Sequence, residues 1–148
     1  MRALIQRVTS AKVRVNDAVI GEINAGLLVL LGVGPDDVEE DARYLVEKIL
    51  NLRIFSDNAG KLNLSALDLK KELLIVSQFT LFADCSQGRR PYFGGAAPPE
   101  LGEKLYHYFC QEANRSGIFV AQGSFGSHMM VELCNDGPVT IWLDSKER

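Results

Sequence analysis

The sequence is poor in the residues from which hydrolytic and metal centres are usually built. It holds only two histidines, His107 and His128, and three cysteines, Cys85, Cys110 and Cys134. The cysteines are odd in number, far apart and form no CxxC pair, so no disulfide framework is expected and they read as free, partly buried thiols. With so few imidazoles and thiolates in no ligand motif, neither a metal nor any other cofactor is expected. No G-x-S-x-G elbow, H-E-x-x-H helix or G-x-x-x-x-G-K loop occurs anywhere. Long hydrophobic runs are missing too. The longest, Gly26 to Gly34, has the length of one buried strand and is far short of a bilayer span. Arg2 and Arg7 interrupt the opening stretch, so no export core is expected, and the expected location is cytoplasmic, away from membranes. Positive charge is not in excess: 16 Lys and Arg stand against 19 Asp and Glu, a net charge of −3. That excludes a broad electrostatic footprint for long nucleic acid, but not a nucleic acid gripped at one end through few phosphates.

What is present describes an ordinary globular chain. Of its 148 residues 47% are apolar and 24% charged, and a domain of this size buries ~70% of its unfolded surface. No linker or repeat interrupts it, so residues 1–148 read as one domain. Residues 2–8 alternate as a two-faced strand, and Asn16-Asp17-Ala18 between Val15 and Val19 is a hairpin signal. Leu27 to Val33 reads as a strand covered on both sides. Val38, Ala42, Leu45, Ile49 and Leu52 recur at helical spacing, with Asp37 expected as N-cap and Glu40 closing a capping box. Leu73 to Phe79 predicts another strand, residues 84–99 a Gly- and Pro-punctuated loop, and Pro98-Pro99 the start of a second helix ending near Ser116-Gly117. Strands near 118–121, 128–134 and 139–144 complete an α+β fold: a curved, mainly antiparallel, barrel-like sheet with two main helices.

Two segments break these local patterns. Ser77-Gln78-Phe79-Thr80 ends an apolar strand with three polar side chains. One reading is a strand leaving the core, its hydroxyls bonded to nearby backbone. The other is a strand end that offers backbone N–H groups and a hydroxyl to a reacting carbonyl, as an oxyanion site requires. Thr80 is a nucleophile only with a base beside it, and none is adjacent in sequence. Asn135-Asp136-Gly137-Pro138 reads either as an ordinary turn joining two strands or as a rigid presentation of backbone carbonyls. His107 falls inside the second helix and His128 at the start of a strand, where neither is expected to catalyse.

Taken in order, these segments resemble the D-aminoacyl-tRNA deacylase family from Met1 to about Ser145. The opening Met1-Arg2-Ala3-Leu4-Ile5-Gln6-Arg7-Val8 is similar to the family's first strand. Ser77-Gln78-Phe79-Thr80 resembles its S-Q-x-T motif, and Asn135-Asp136-Gly137-Pro138-Val139-Thr140 its N-x-G-P-x-T motif. Gly88, Arg90-Pro91 and Phe93 resemble the loop between them, and Phe125-Gly126 with Met129 an F-G-x-x-M stretch. The resemblance implies a homodimer that hydrolyses the ester of D-aminoacyl-tRNA, and to some extent of glycyl-tRNA. It implies a cis Gly137–Pro138 bond whose turn enters the partner's site and excludes L side chains. Catalysis would be assisted by the 2′-hydroxyl of the terminal adenosine, with N–H groups near Gln78 and Phe79 holding the oxyanion. Ser77 and Gln78 would support the pocket, Thr80 would position, Phe125 and Met129 would line the adenosine seat, and Arg7 would brace the incoming turn. Ser127-His128 departs from the small-apolar-then-polar pair expected there.

Three other readings remain open. A related editor of mischarged L-alanyl-tRNA has the same fold and a relaxed pocket, and there proline replaces the serine at the position of Ser77. A nucleic-acid-binding scaffold without hydrolysis is opposed by the acidic balance. An ordinary hydrolase built on Thr80 or Ser77 needs a base that the sequence does not supply.

Overall fold

A computed structural model describes residues 1–148. Strand β1 (Arg2–Val15) turns back into β2 (Ala18–Ile23). Asn16 and Asp17 carry the turn at φ 47° and 64°, a conformation Asn and Asp tolerate better than other side-chain-bearing residues. Strand β3 (Gly26–Gly32) pairs antiparallel with the first half of β1 and parallel with β6 (Glu72–Ser77), which pairs parallel with β7 (Val120–Gln122). The remaining long strand, β8 (Met130–Asp144), lies antiparallel along nearly the whole of β1. Between β3 and β6 come helix α1 (Glu39–Asn51) and a small hairpin of β4 (Phe55–Ser56) and β5 (Leu62–Leu64). Between β6 and β7 come a 3-10 turn (Phe79–Phe82) and helix α2 (Pro99–Asn114). The expected α+β architecture is present, its sheet mixed and curled.

The curl follows from burial on both faces of the central strands. Leu27, Val29 and Leu31 of β3, with Leu73 and Ile75 of β6, join Leu45 and Ile49 of α1 and Leu105 and Phe109 of α2 in one core. Their neighbours Leu28, Leu74 and Val76 point the other way, into a second core with Val8, Val13 and Ile23. Period-two alternation thus feeds two cores, and β2 folds over the second of them. Gly21 marks that closure, since a Cβ there would lie 2.7 Å from the carbonyl oxygen of Gln122 in β7. No helix is long and apolar enough to cross a membrane.

Several local expectations change in three dimensions. Asp37 does not cap α1. Its buried carboxylate accepts from the Met1 amino group (2.6 Å) and from Gly34 N–H (2.6 Å), so the cap moves one residue on, to Val38, whose N–H donates to Asp41 (2.9 Å). The strand expected to reach Phe79 stops at Ser77 and gives way to the 3-10 turn. Of the three free cysteines only Cys110 is buried; Cys85 and Cys134 are exposed. His128 precedes β8 rather than beginning it. The largest change is at Asn135–Thr140, which joins no two strands. Gln6 pairs with Thr140 and Val8 with Asn135, so both flanks lie on β1 and the segment between is a bulge within one strand.

Candidate functional site

The ends of β3 and β6, the 3-10 turn, the start of α2 and the segment before β8 surround a cavity of about 530 Å³. Ser77, Gln78 and Phe79 form one wall, Phe125 to Met129 another, and Phe93 and Gly102 lie between them. The fold dictates the first wall. Ser77 is the last β6 residue paired with β3, opposite Leu31, and Gln78 N–H donates to the Leu31 carbonyl (2.8 Å). The ladder ends there. Phe79 and Thr80 open the 3-10 turn, and the first N–H groups of such a turn have no partner within it. The Gln78 side chain bends back to donate to the Thr80 hydroxyl.

The opposite wall is shaped by small residues. Gly102 sits in α2 where a Cβ would lie 3.3 Å from Cζ of Phe125, so glycine lets that ring reach the cavity. Phe125 also packs on Tyr106 (centroids 6.0 Å apart), whose hydroxyl donates to the Ile75 carbonyl (2.8 Å). Burial raises the Tyr106 hydroxyl's pKa far above the ordinary value and pushes the Cys110 thiol up to about 12, so neither supplies an anion at neutral pH. Gly126 has φ 76°, which turns the chain sharply between Phe125 and Met129. Ser124 N–H approaches the Met129 sulfur at 3.3 Å, and Ser124 and Ser127 hydroxyls are bonded at 2.8 Å. These contacts hold Phe125 and Met129 toward the same space.

The wall contains hydroxyls but no activated nucleophile. The Thr80 hydroxyl is paired with the Gln78 amide and that of Ser127 with Ser124, and neither partner is a base at neutral pH. His128 is exposed and also borders the cavity. His107 is exposed on α2 and lies 3.7 Å from Glu103, one helical turn away.

The bulge in β8 lies outside this wall. Its Gly137–Pro138 bond is cis, and Gly137 has φ 144°, a region that side-chain-bearing residues rarely enter. A Cβ on Gly137 would lie 2.8 Å from Cγ2 and 2.9 Å from N of Val139. Asn135 spans the base of the bulge: its amide carbonyl accepts from Val139 N–H (2.8 Å), and its NH2 donates to the Val139 carbonyl (3.2 Å) and Thr140 hydroxyl (3.1 Å). Arg7, largely buried, donates from Nε to the Asp136 carbonyl (2.9 Å) and from Nη1 to the Ile54 carbonyl (2.5 Å). Arg7 therefore braces the bulge of its own chain. The S-Q-F-T wall and the Gly-Pro bulge are two separate features of one chain, and neither Gly137 nor Pro138 lines the cavity.

The sequence model of the D-Tyr-tRNA(Tyr) deacylase family matches residues 4–144. The D-aminoacyl-tRNA deacylase of Thermosipho melanesiensis is 60% identical over 148 residues, covering 99% of each chain. That of Clostridioides difficile is 58% identical over 147 residues, again 99% of each. Among solved structures, one described as "c-Myc DNA Unwinding Element Binding Protein" superposes with a TM-score of 0.91 at 41% identity, over 97% of this chain and 98% of that one. A second, described as "a probable eukaryotic D-amino acid tRNA deacylase", gives 0.86 at 20% identity over 96% and 97%, a likeness of fold.

Proposed function

This chain belongs to the D-Tyr-tRNA(Tyr) deacylase family, and from that membership we propose the following account of what it hydrolyses and how. It is a D-aminoacyl-tRNA deacylase: an enzyme that cleaves the ester between a D-amino acid and the 3′ end of tRNA. The whole chain acts as one deacylase domain, in the cytoplasm, as a homodimer. Phe125 and Met129 seat the terminal adenosine, which brings the ester against the end of β6. The N–H of Gln78 is already bonded to Leu31, so the oxyanion is held by the N–H of Phe79, with that of Thr80 beside it. Ser77 and Gln78 fix this strand end, and Thr80 positions without attacking.

The observation that carries this reading is a cavity in which no hydroxyl is hydrogen-bonded to a base, His128 included, next to unpartnered backbone N–H groups. A water activated by the adenosine 2′-hydroxyl answers that arrangement, because the substrate then supplies a proton-transfer group of the kind that no hydroxyl of the wall is bonded to. The Gly137–Pro138 bulge of the partner subunit completes the amino-acid seat and reads chirality, its carbonyls occupying the space an L side chain needs. Glycine, with no side chain, passes in part. Three features support pairing of two chains: β8 is a 15-residue strand hydrogen-bonded on one side only within the chain, it exposes Met130, Leu133 and Trp142, and the bulge it carries does not reach its own cavity. The description of the 41%-identical structure as a DNA-element binding protein favours a second reading, in which this chain binds nucleic acid and does not hydrolyse it. Side-by-side hydrolysis of D- and L-tyrosyl-tRNA separates the two.

A further inference from the structure

Residues 85–99 contain no acidic side chain, yet they hold Arg89 and Arg90 side by side in a chain of net charge −3. Both guanidiniums are exposed. Neither takes part in an ion pair, whereas Arg2, Arg7 and Arg14 all do. The loop carrying them is anchored at its base. Asp84 and Tyr92 exchange both backbone hydrogen bonds (2.8 and 2.9 Å), and the Asp84 carboxylate turns to Ser86 N–H (2.9 Å). The acid nearest in sequence is thus engaged inside the loop.

The end of this loop reaches the cavity. Phe93 lines it and meets Phe79 edge-on with ring centroids 5.2 Å apart. Its neighbour Tyr92 stays outside, 68% exposed. Tyr92 is nevertheless held, because its phenol lies over Gly94 so closely that a Cβ there would collide with it. Two unpaired guanidiniums and an exposed, held aromatic ring therefore share the loop whose end, Phe93, lines the cavity.

We propose that the loop from Cys85 to Phe93 is a second RNA contact, gripping the unpaired 3′ strand just upstream of the terminal adenosine. Arg89 and Arg90 take backbone phosphates, and the open face of Tyr92 stacks on a base. This rests on the cavity being the adenosine seat. A paired stem offers phosphates but no free base face, so cations interleaved with an exposed aromatic suit a single strand. An acidic chain that binds RNA at one end also needs its attraction placed locally, and in this loop two adjacent guanidiniums stand unpaired on the segment that leads into the cavity wall.

The test uses the full chain and a labelled acceptor-stem RNA hairpin with an unpaired 3′ tail, against the same hairpin made blunt. Joint Arg89→Ala and Arg90→Ala weakens binding of the tailed RNA about tenfold at low salt. It also lowers the slope of log affinity against log salt by ~1.4, the value for two single-strand phosphates. Tyr92→Ala weakens tailed binding about tenfold, and Tyr92→Phe restores it. In turnover, the double arginine change lowers the preference for D-tyrosyl-tRNA over D-tyrosyl-adenosine about tenfold, through KM. Equal binding of tailed and blunt hairpins, or variants that leave tailed binding and its salt slope unchanged, overturns the inference. Failure of the unaltered chain to cleave either ester overturns the deacylase reading instead, while the tailed-hairpin measurements still decide the loop.

Discussion

Gly137 shows how much of the proposed specificity depends on one missing Cβ. At φ 144°, with Val139 N 2.9 Å and Arg7 Nη2 3.2 Å from where a Cβ would stand, Gly137→Ala must displace the bulge. Hydrolysis of D-tyrosyl-tRNA should fall at least a hundredfold, while thermal unfolding shifts little because the bulge is peripheral to both cores. A near-normal rate would remove the bulge from the account. Thr80 makes the opposite case. Its hydroxyl is bonded only to an amide, so Thr80→Ala should keep kcat within about tenfold of the unaltered chain. A loss of several orders of magnitude in single-turnover assays would restore Thr80 as nucleophile. At this scale the sequence was legible in residue type but not in commitment. The S-Q-F-T spacing picked out the strand end. Only the fold reveals that Gln78 N–H is already bonded to Leu31 and that Arg7 grips its own chain's Asp136.

Among the elements, α2 and β3 follow from spacing, because buried residues recur where a helix or a two-sided strand must bury them. The β8 bulge does not. Asn-Asp-Gly-Pro is equally good chemistry for a chain reversal, and only pairing of both flanks with β1 decides against one. Between Gln6 and Val8 on one strand and Thr140 and Asn135 on the other, β8 holds three surplus residues. Excising Asp136–Pro138 should therefore leave a regular, folded β8 with near-native far-UV circular dichroism, but no deacylation. Collapse of the fold would mean that the bulge is structural. The start of α1 departs from the local pattern for a related reason: a distant amino group, invisible to that pattern, claims Asp37. Asp41 carries its own test at this element. Burial pushes its carboxyl upward, but Lys146, the Val38 N–H and Ser145 outweigh that and hold it down to about 2, against 3.8 for the free side chain. A depressed carboxylate stabilises the fold above pH ~4 and loses that contribution as pH falls toward 2. Asp41→Asn should accordingly lower stability by ~1–2 kcal/mol at pH 7 in urea titrations, with the difference closing by about pH 2. A pH-independent difference would show that the loss is one of packing alone.

For the whole molecule, the governing fact is that cavity and bulge belong to one chain without meeting in it. That division was not legible from motifs, which place S-Q-F-T and N-D-G-P in one sequence without saying whether they share a site. The proposed dimer accounts for it and makes complementation the test. A chain lacking Asp136–Pro138, mixed with one whose cavity is blocked by Gly102→Leu, should recover about a quarter of full activity by statistical exchange of subunits. Two chains that each complete their own site would recover none. The central claim is a hydrolase that reads the hand of the amino acid, and it is tested most directly by supplying both hands. D-tyrosyl-tRNA and L-tyrosyl-tRNA, incubated separately with the same concentration of purified protein, should part company: rapid loss of the D ester, with the L ester decaying at its rate in buffer. Equal cleavage of both would contradict the filter assigned to the Gly137–Pro138 bulge, and cleavage of neither would contradict the enzyme.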